Sequence, residues 1–219
     1  MNLRAVFFDV GETLIDERRM WRGWADYLGV PPDAFMAAFA DVIANGEDHR
    51  RVFDRFRPGF DGAAARRERM ARGDDDMFGA QDLYPDAAPC LRALRARGYR
   101  IGIAGNQPDG AVAALEALDL AADVIVSSAS LGVAKPAAEF FARLVDMAQM
   151  PAGEIAYVGD RLDNDILPAR AAGMATIFLL RGPWAKVHAT QPEAKLADIT
   201  LDNLIDLPDA LSVLSHRSP

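Results

Sequence analysis

Five short apolar runs, Arg4–Phe8, Arg100–Ala104, Asp123–Val126, Ile155–Val158 and Ala175–Leu179, constrain this chain more than any other feature. Each is too brief for a buried helix and lacks polar alternation, which is the pattern of a strand covered on both faces. Helical spacing fills the gaps between them, over Ala87–Arg97, Gly110–Leu118, Ala137–Ala148 and Asn164–Ala172. Strands alternating with helices imply an α/β fold, a doubly wound, Rossmann-like parallel sheet. A weaker strand-like piece, Asp198–Leu201, and a short helical stretch near Leu204–Leu214 complete the pattern.

One region breaks the alternation. Between Asp16 and Tyr84 the spacing is helical throughout, with Trp21, Trp24, Leu28, Phe35, Phe39, Ile43, Phe53 and Phe56 at helix-like intervals. A connection of this length is far beyond the usual strand-to-helix loop. The expected organisation is therefore a core of residues 1–15 and 85–219 with a helical cap inserted as residues 16–84. Trp21 and Trp24 read as packing residues of that insert.

Composition narrows the function classes. A hydrophobic share of 51% and a charged share of 26% are those of an ordinary globular chain that buries a core without staples. The single cysteine, Cys90, cannot pair internally, which fits a reducing compartment and a cytoplasmic location. The apolar start at Leu3–Phe8 is too short for a signal-peptide core, and no run approaches the roughly 18 apolar residues of a membrane span. A net charge of −8 argues against nucleic-acid partners. Neither nucleic acid nor membrane is expected as a partner.

The chemistry concentrates at the ends of the strands. In an open parallel sheet, ligands bind beyond the carboxyl ends of the strands, where the strand order reverses. Those ends supply Asp9, then Gly105-Asn106, then Gly159-Asp160, followed by Asp163-Asn164-Asp165. A carboxylate placed directly after Val6-Phe7-Phe8 is costly to desolvate and needs a compensating role. Carboxylates from separate strands make a hard-oxygen site suited to Mg²⁺, and an aspartate can also attack phosphorus as a covalent nucleophile. A nearby lysine would neutralise charge on the transferring group. Lysine is scarce here, limited to Lys135, Lys186 and Lys195.

These residues carry a resemblance. Phe7-Phe8-Asp9-Val10-Gly11-Glu12-Thr13-Leu14 resembles the first motif of the haloacid dehalogenase superfamily, and Ala134-Lys135-Pro136 resembles its third. Tyr157-Val158-Gly159-Asp160-Arg161-Leu162-Asp163-Asn164-Asp165, with the Ala-Ala-Gly-Met of 171–174, resembles its fourth. The insert after the first motif is similar to that of the helical-cap subfamily. The resemblance implies Mg²⁺-dependent hydrolysis of a small phosphorylated metabolite through an aspartyl-phosphate on Asp9. It implies Asp9, the Gly11 carbonyl, Asp160 and Asp165 as metal ligands. Lys135 would pair with phosphate and orient Asp9, while Gly105 and Asn106 would bind substrate. Asp163 reads instead as a helix-start residue.

Two positions depart from the phosphatase pattern. Gly11 stands where family phosphatases usually carry an acid/base aspartate, and Gly105 stands where they usually offer Ser or Thr. Glu12 could serve as acid/base only if its loop turns it inward. The alternatives are a catalytically impaired phosphate-binding or regulatory protein on the same fold, and a 2-haloacid dehalogenase, which the acidic fourth motif disfavours. Phosphonate cleavage through a cap lysine is excluded, because residues 16–84 contain none. Both monomer and homodimer remain open.

Overall fold

The computed structural model describes residues 2–74 and 77–216. The chain divides into two compact units, one of Met1–Asp16 with Gly79–Pro219 and the other of Glu17–Phe78. Helices α1 (Arg18–Leu28), α2 (Pro32–Ala44), α3 (Arg51–Phe56) and α4 (Gly62–Ala71) build the Glu17–Phe78 unit. The other unit holds α5 (Ala87–Ala96), α6 (Ala111–Glu116), α7 (Ser128–Leu131), α8 (Ala138–Ala148), α9 (Leu167–Ala171), α10 (Gly182–His188) and α11 (Leu207–His216).

The strands are β1 (Ala5–Phe8), β2 (Arg100–Gly105), β3 (Val124–Ser127), β4 (Ile155–Gly159), β5 (Ala175–Leu179) and β6 (Ile199–Leu201). They form one parallel sheet in the order β3-β2-β1-β4-β5-β6, flanked by helices, so the doubly wound α/β expectation holds. All of β1 is buried, paired with β2 through Ala5↔Arg100 and with β4 through Ala5↔Ile155. That is why its residues are apolar on both faces. Along α8, Phe140, Phe141 and Leu144 form the apolar stripe that packs with Phe7 and Tyr157 of the sheet. The rings of Phe141 and Tyr157 lie 5.3 Å apart, edge to face. The strand order reverses between β1 and β4, and ligands bind beyond such switch points.

In the Glu17–Phe78 unit, burial is aromatic. Trp21 packs on Phe39 with ring centroids 4.4 Å apart, Trp24 meets Phe53 at 5.1 Å, and Phe53 stacks on Phe60 at 4.6 Å. Arg69, almost fully buried, lies 4.3 Å over the Trp24 ring and is paired with Asp74 at 2.7 Å. Gly29 ends α1 in the left-handed conformation (φ 71°), and Pro32 opens α2 with its φ already suited to a helix.

The window 16–84 read as an insert contains this unit, but Asp16 and residues 79–84 fall with the other one. Pairing across the two chain segments explains the difference. Ile15 bridges Leu83 in antiparallel fashion, Tyr84 donates its N–H to the Leu14 carbonyl at 2.9 Å, and Asp16 donates to Asp82 at 2.7 Å. Among the described residues, no helix is long and apolar enough to cross a membrane.

Candidate active site

Strand ends bring the charged residues together. Asp9 follows the last residue of β1, and its N–H donates to the Val158 carbonyl of β4 at 2.9 Å. Asp160 follows β4 directly. Asp165 lies in a π-helical turn, Leu162–Ile166, closed by the Ile166 N–H donating to the Arg161 carbonyl at 3.1 Å. Such turns recur at functional sites, where they re-aim a side chain. All three carboxylates are buried, and one oxygen from each can be chosen so that they lie within 4.8 Å of one another.

Lys135 joins two of them. Its ammonium donates to Asp9 Oδ1 and to Asp165 Oδ1, both at 2.6 Å, and its side chain is fully enclosed. Burial by itself lowers the Lys135 pKa, but the Asp165 and Asp9 charges outweigh it and hold the group protonated. Asp165 is pushed up to about 6 by burial, with the Asp9 charge adding and Lys135 opposing. Its Oδ2 accepts the Arg161 N–H at 3.0 Å. Asp160 is raised well above the ordinary carboxylate value by burial and then by the charges of Asp165, Asp9 and Glu12. Its Oδ2 is buried with no hydrogen-bond partner.

An orphaned, desolvated carboxylate oxygen beside two more carboxylates is unfavourable unless a cation completes it. The donor set is all oxygen and anionic, so it fits a hard divalent metal. Lys135 supplies one of the positive charges this nest requires.

The glycines and Asn106 take more specific positions than the sequence indicates. A Cβ built on Gly105 would sit 2.7 Å from Asp9 Oδ1, so the Asp9 carboxylate lies over the space a Ser or Thr there would fill. Asn106, expected to bind substrate, pairs its side-chain amide with the main chain of Lys135. It accepts the Lys135 N–H at 2.8 Å and donates to the Lys135 carbonyl at 2.9 Å. It thus fixes the backbone that carries the lysine. Gly11 lies half-buried in the loop after Asp9. Glu12 takes a left-handed backbone (φ 52°) and is buried, with its Oε2 accepting the Tyr84 hydroxyl at 2.6 Å. A Cβ on Gly182 would lie 2.6 Å from Glu12 Cγ, so that glycine lets the side chain pass. Asp163 stays outside the carboxylate cluster, paired with Arg161 at 2.7 Å.

Several groups around the cluster escape a reading of the sequence. Tyr84 is 72 positions from Glu12. Arg181 donates to the Thr13 carbonyl at 3.0 Å and to the carboxylate of Asp86, while its guanidinium lies 4.1 Å over the Tyr84 ring. His188 accepts the Leu162 N–H on Nδ1 at 3.1 Å. Their only signal in the sequence is residue type, because each acts across a long separation.

The family model described as "haloacid dehalogenase-like hydrolase" matches residues 3–173. The chain is 33% identical over 146 residues to a phosphoglycolate phosphatase of Rhodospirillum rubrum, covering 65% of this chain and 58% of that protein. It is 31% identical over 137 residues to a glyceraldehyde 3-phosphate phosphatase of Methanocaldococcus jannaschii, covering 60% and 57%. The chain thus spans less than two thirds of the length of these curated relatives. A crystal structure described as a predicted phosphoglycolate phosphatase from Haemophilus somnus superposes with a TM-score of 0.74 at 21% identity, over 96% of this chain and 99% of that one. At that identity the likeness speaks to the fold.

Proposed function

This chain belongs to the haloacid dehalogenase-like hydrolases, and from that premise we propose that it is a Mg²⁺-dependent phosphomonoesterase acting on a small phosphorylated metabolite. The relatives named above, phosphatases of phosphoglycolate and glyceraldehyde 3-phosphate, support that substrate class. The observation that carries the reading is the orphaned Oδ2 of Asp160, buried beside Asp9 and Asp165 with Lys135 bridging those two.

In this reading Asp9, Asp160, Asp165 and the Gly11 carbonyl hold the ion. When bound, Mg²⁺ neutralises negative charge on the phosphoryl group. Asp9 attacks phosphorus through a carboxylate oxygen as the bond to the leaving oxygen breaks, giving an aspartyl-phosphate. Lys135 holds Asp9 in line and offers its ammonium to the phosphoryl oxygens, and Asn106 fixes the lysine from its main chain. Backbone N–H groups at Gly105 complete the anion site. Water then attacks the aspartyl-phosphate, releasing phosphate and restoring Asp9. The leaving oxygen takes its proton from solvent, since Gly11 has no carboxyl and Glu12 is bound to Tyr84. The Glu17–Phe78 unit corresponds to the helical insert of the cap-bearing subfamily, and the protein works as a monomer or homodimer.

Gly11 and the engaged Glu12 also favour a second reading, a phosphate-binding protein that retains the site with little turnover. Hydrolysis of p-nitrophenyl phosphate with and without Mg²⁺, beside Asp9→Asn, separates the two. Metal-dependent release of nitrophenol that Asp9→Asn abolishes supports the enzyme. Release equal to that of the Asp9→Asn control, together with Mg²⁺-dependent phosphate binding, supports the second reading instead.

A further inference from the structure

Helix α10 was not foreseen from the sequence, yet it touches both loops of the acidic site. Its first residue, Gly182, makes room for the Glu12 side chain, and its Trp184 ring lies 4.9 Å beneath the Arg161 guanidinium. Its last, His188, is buried and reaches the Leu162 N–H. Arg161 and Leu162 are the residues between Asp160 and the rest of the π-helical turn that ends beyond Asp165.

The opening N–H groups of any helical turn have no partner inside it. Here side chains satisfy both of the first two. Asp165 Oδ2 accepts the Arg161 N–H at 3.0 Å, and His188 Nδ1 accepts the Leu162 N–H at 3.1 Å. The first bond comes from within the turn and the second from outside it. An acceptor Nδ1 requires the neutral imidazole with its proton on Nε2. Burial lowers the His188 pKa, which favours that neutral form, although the Asp163 carboxylate 3.9 Å from Nε2 opposes the shift. Arg161, the other charged group facing the ring, acts in the same direction as burial.

We propose that His188 is a positioning residue for the acidic turn: its Nδ1 anchors Leu162 and so holds Asp160 and Asp165 in the arrangement that receives a divalent cation. The inference rests on the metal-site reading above. An unanchored Leu162 would leave the segment between the two carboxylates free to shift, and metal affinity depends on ligands held in place by such outer partners.

The test uses the full chain and Mg²⁺ alone, titrated calorimetrically into wild type, His188→Asn and His188→Leu. Asparagine places an oxygen close to the position of Nδ1, and leucine has nearly the shape of asparagine without an acceptor. Mg²⁺ should bind His188→Asn within about threefold of wild type and His188→Leu roughly tenfold more weakly, the scale of losing an outer-shell partner. Equal affinity for His188→Leu and wild type overturns this inference and leaves the metal site standing. Equal weakness of His188→Asn and His188→Leu also overturns it, because packing and not the acceptor would then matter. If wild type itself binds no Mg²⁺, the metal-site reading fails and this inference with it. Where the leucine variant does not fold, nitrogen NMR of the wild-type imidazole decides: a proton on Nε2 and a slowly exchanging Leu162 amide support the anchor, and a proton on Nδ1 overturns it.

Discussion

The two units bury unlike things. The Glu17–Phe78 unit closes over Trp21, Trp24, Phe35, Phe39 and Phe53, whose burial is favourable in itself. At the carboxyl ends of β1 and β4 the other unit encloses Asp9, Asp160, Asp165 and Lys135, whose burial is unfavourable unless each charge is answered. An aromatic cluster needs no function to explain it. A nest of three carboxylates, two of them held by one ammonium, with an oxygen of the third left over, does. The contrast teaches where to look in a chain like this: at the burial that costs stability.

The contrast breaks first at Lys135. In Lys135→Met, the Asp9 and Asp165 carboxylates lose the ammonium that both contact at 2.6 Å. Removing one partner of a buried pair costs about 3–5 kcal/mol, so urea unfolding without metal at about pH 8 should show a loss of that size. The deficit should shrink towards about pH 5, as the stranded Asp165 carboxyl, already pushed up to about 6, takes up a proton. A loss under about 1 kcal/mol at every pH would mean that the charges do not depend on one another. On the aromatic side, Phe35 is fully buried and stacks 5.8 Å from Phe56 and 6.2 Å from Trp21. Phe35→Ala should cost roughly 3–4 kcal/mol through the cavity it leaves, with no dependence on pH or Mg²⁺. Amide exchange in α1 to α3 reads this out, and a Mg²⁺-dependent loss would blur the distinction between the units.

How much of this was legible in the sequence follows from the same contrast. Five of the six strands announced themselves as short apolar runs, since a strand covered on both faces has no polar face to display, whereas β6, at the sheet edge and not buried, showed only as a weaker strand-like piece. Asp9, Asp160 and Asp165 were legible because charge at the ends of such runs is conspicuous, and Lys135 was picked out by the third motif of the resemblance; the four do gather in one place. The role of Asn106 was not: a side-chain amide pairing with a main chain 29 positions away leaves no periodic trace. Glu12 could not be placed either, because its partners, Tyr84 and Gly182, lie far along the chain. Helix α10 was missed since seven residues span too few turns for a 3.6-residue period to emerge. Its Pro183 and the lone His188 become informative only once the turn at Leu162 is seen.

Gly11 sharpens the comparison with a smaller effect. Its backbone is not among those with positive φ, so an aspartate there meets no left-handed strain. If the site lacks only a proton donor, Gly11→Asp should raise turnover of alkyl phosphates roughly 10–100-fold, part of the range that general acid–base catalysis supplies. p-Nitrophenyl phosphate, whose leaving group needs little protonation, should gain less. Equal gains for both substrates, or none, would count against proton donation as the missing element.

The smallest effect runs against intuition, because removing a site residue should stabilise the protein. Without metal, Asp160 is enclosed beside Asp165, Asp9 and Glu12, and its folded-state pKa stands well above the ordinary 3.8. Asp165 is likewise raised, to about 6. A carboxyl that holds its proton more tightly when folded favours the fold below its unfolded pKa, and that contribution is lost as pH rises through the folded value. Metal-free wild type should therefore lose stability from about pH 4 through 6 and beyond. Asp160→Asn keeps the shape, removes one of the repelling charges and should escape part of that loss. The expected gain above about pH 7 is about 1–2 kcal/mol, or roughly 3–6 °C in melting temperature for a chain of this length. Mg²⁺ should reverse the ranking, raising the melting temperature of wild type and leaving that of Asp160→Asn unchanged. A variant that is less stable than wild type in chelator would mean that Asp160 is held by contacts within the fold, and the demand for a cation at its Oδ2 would disappear.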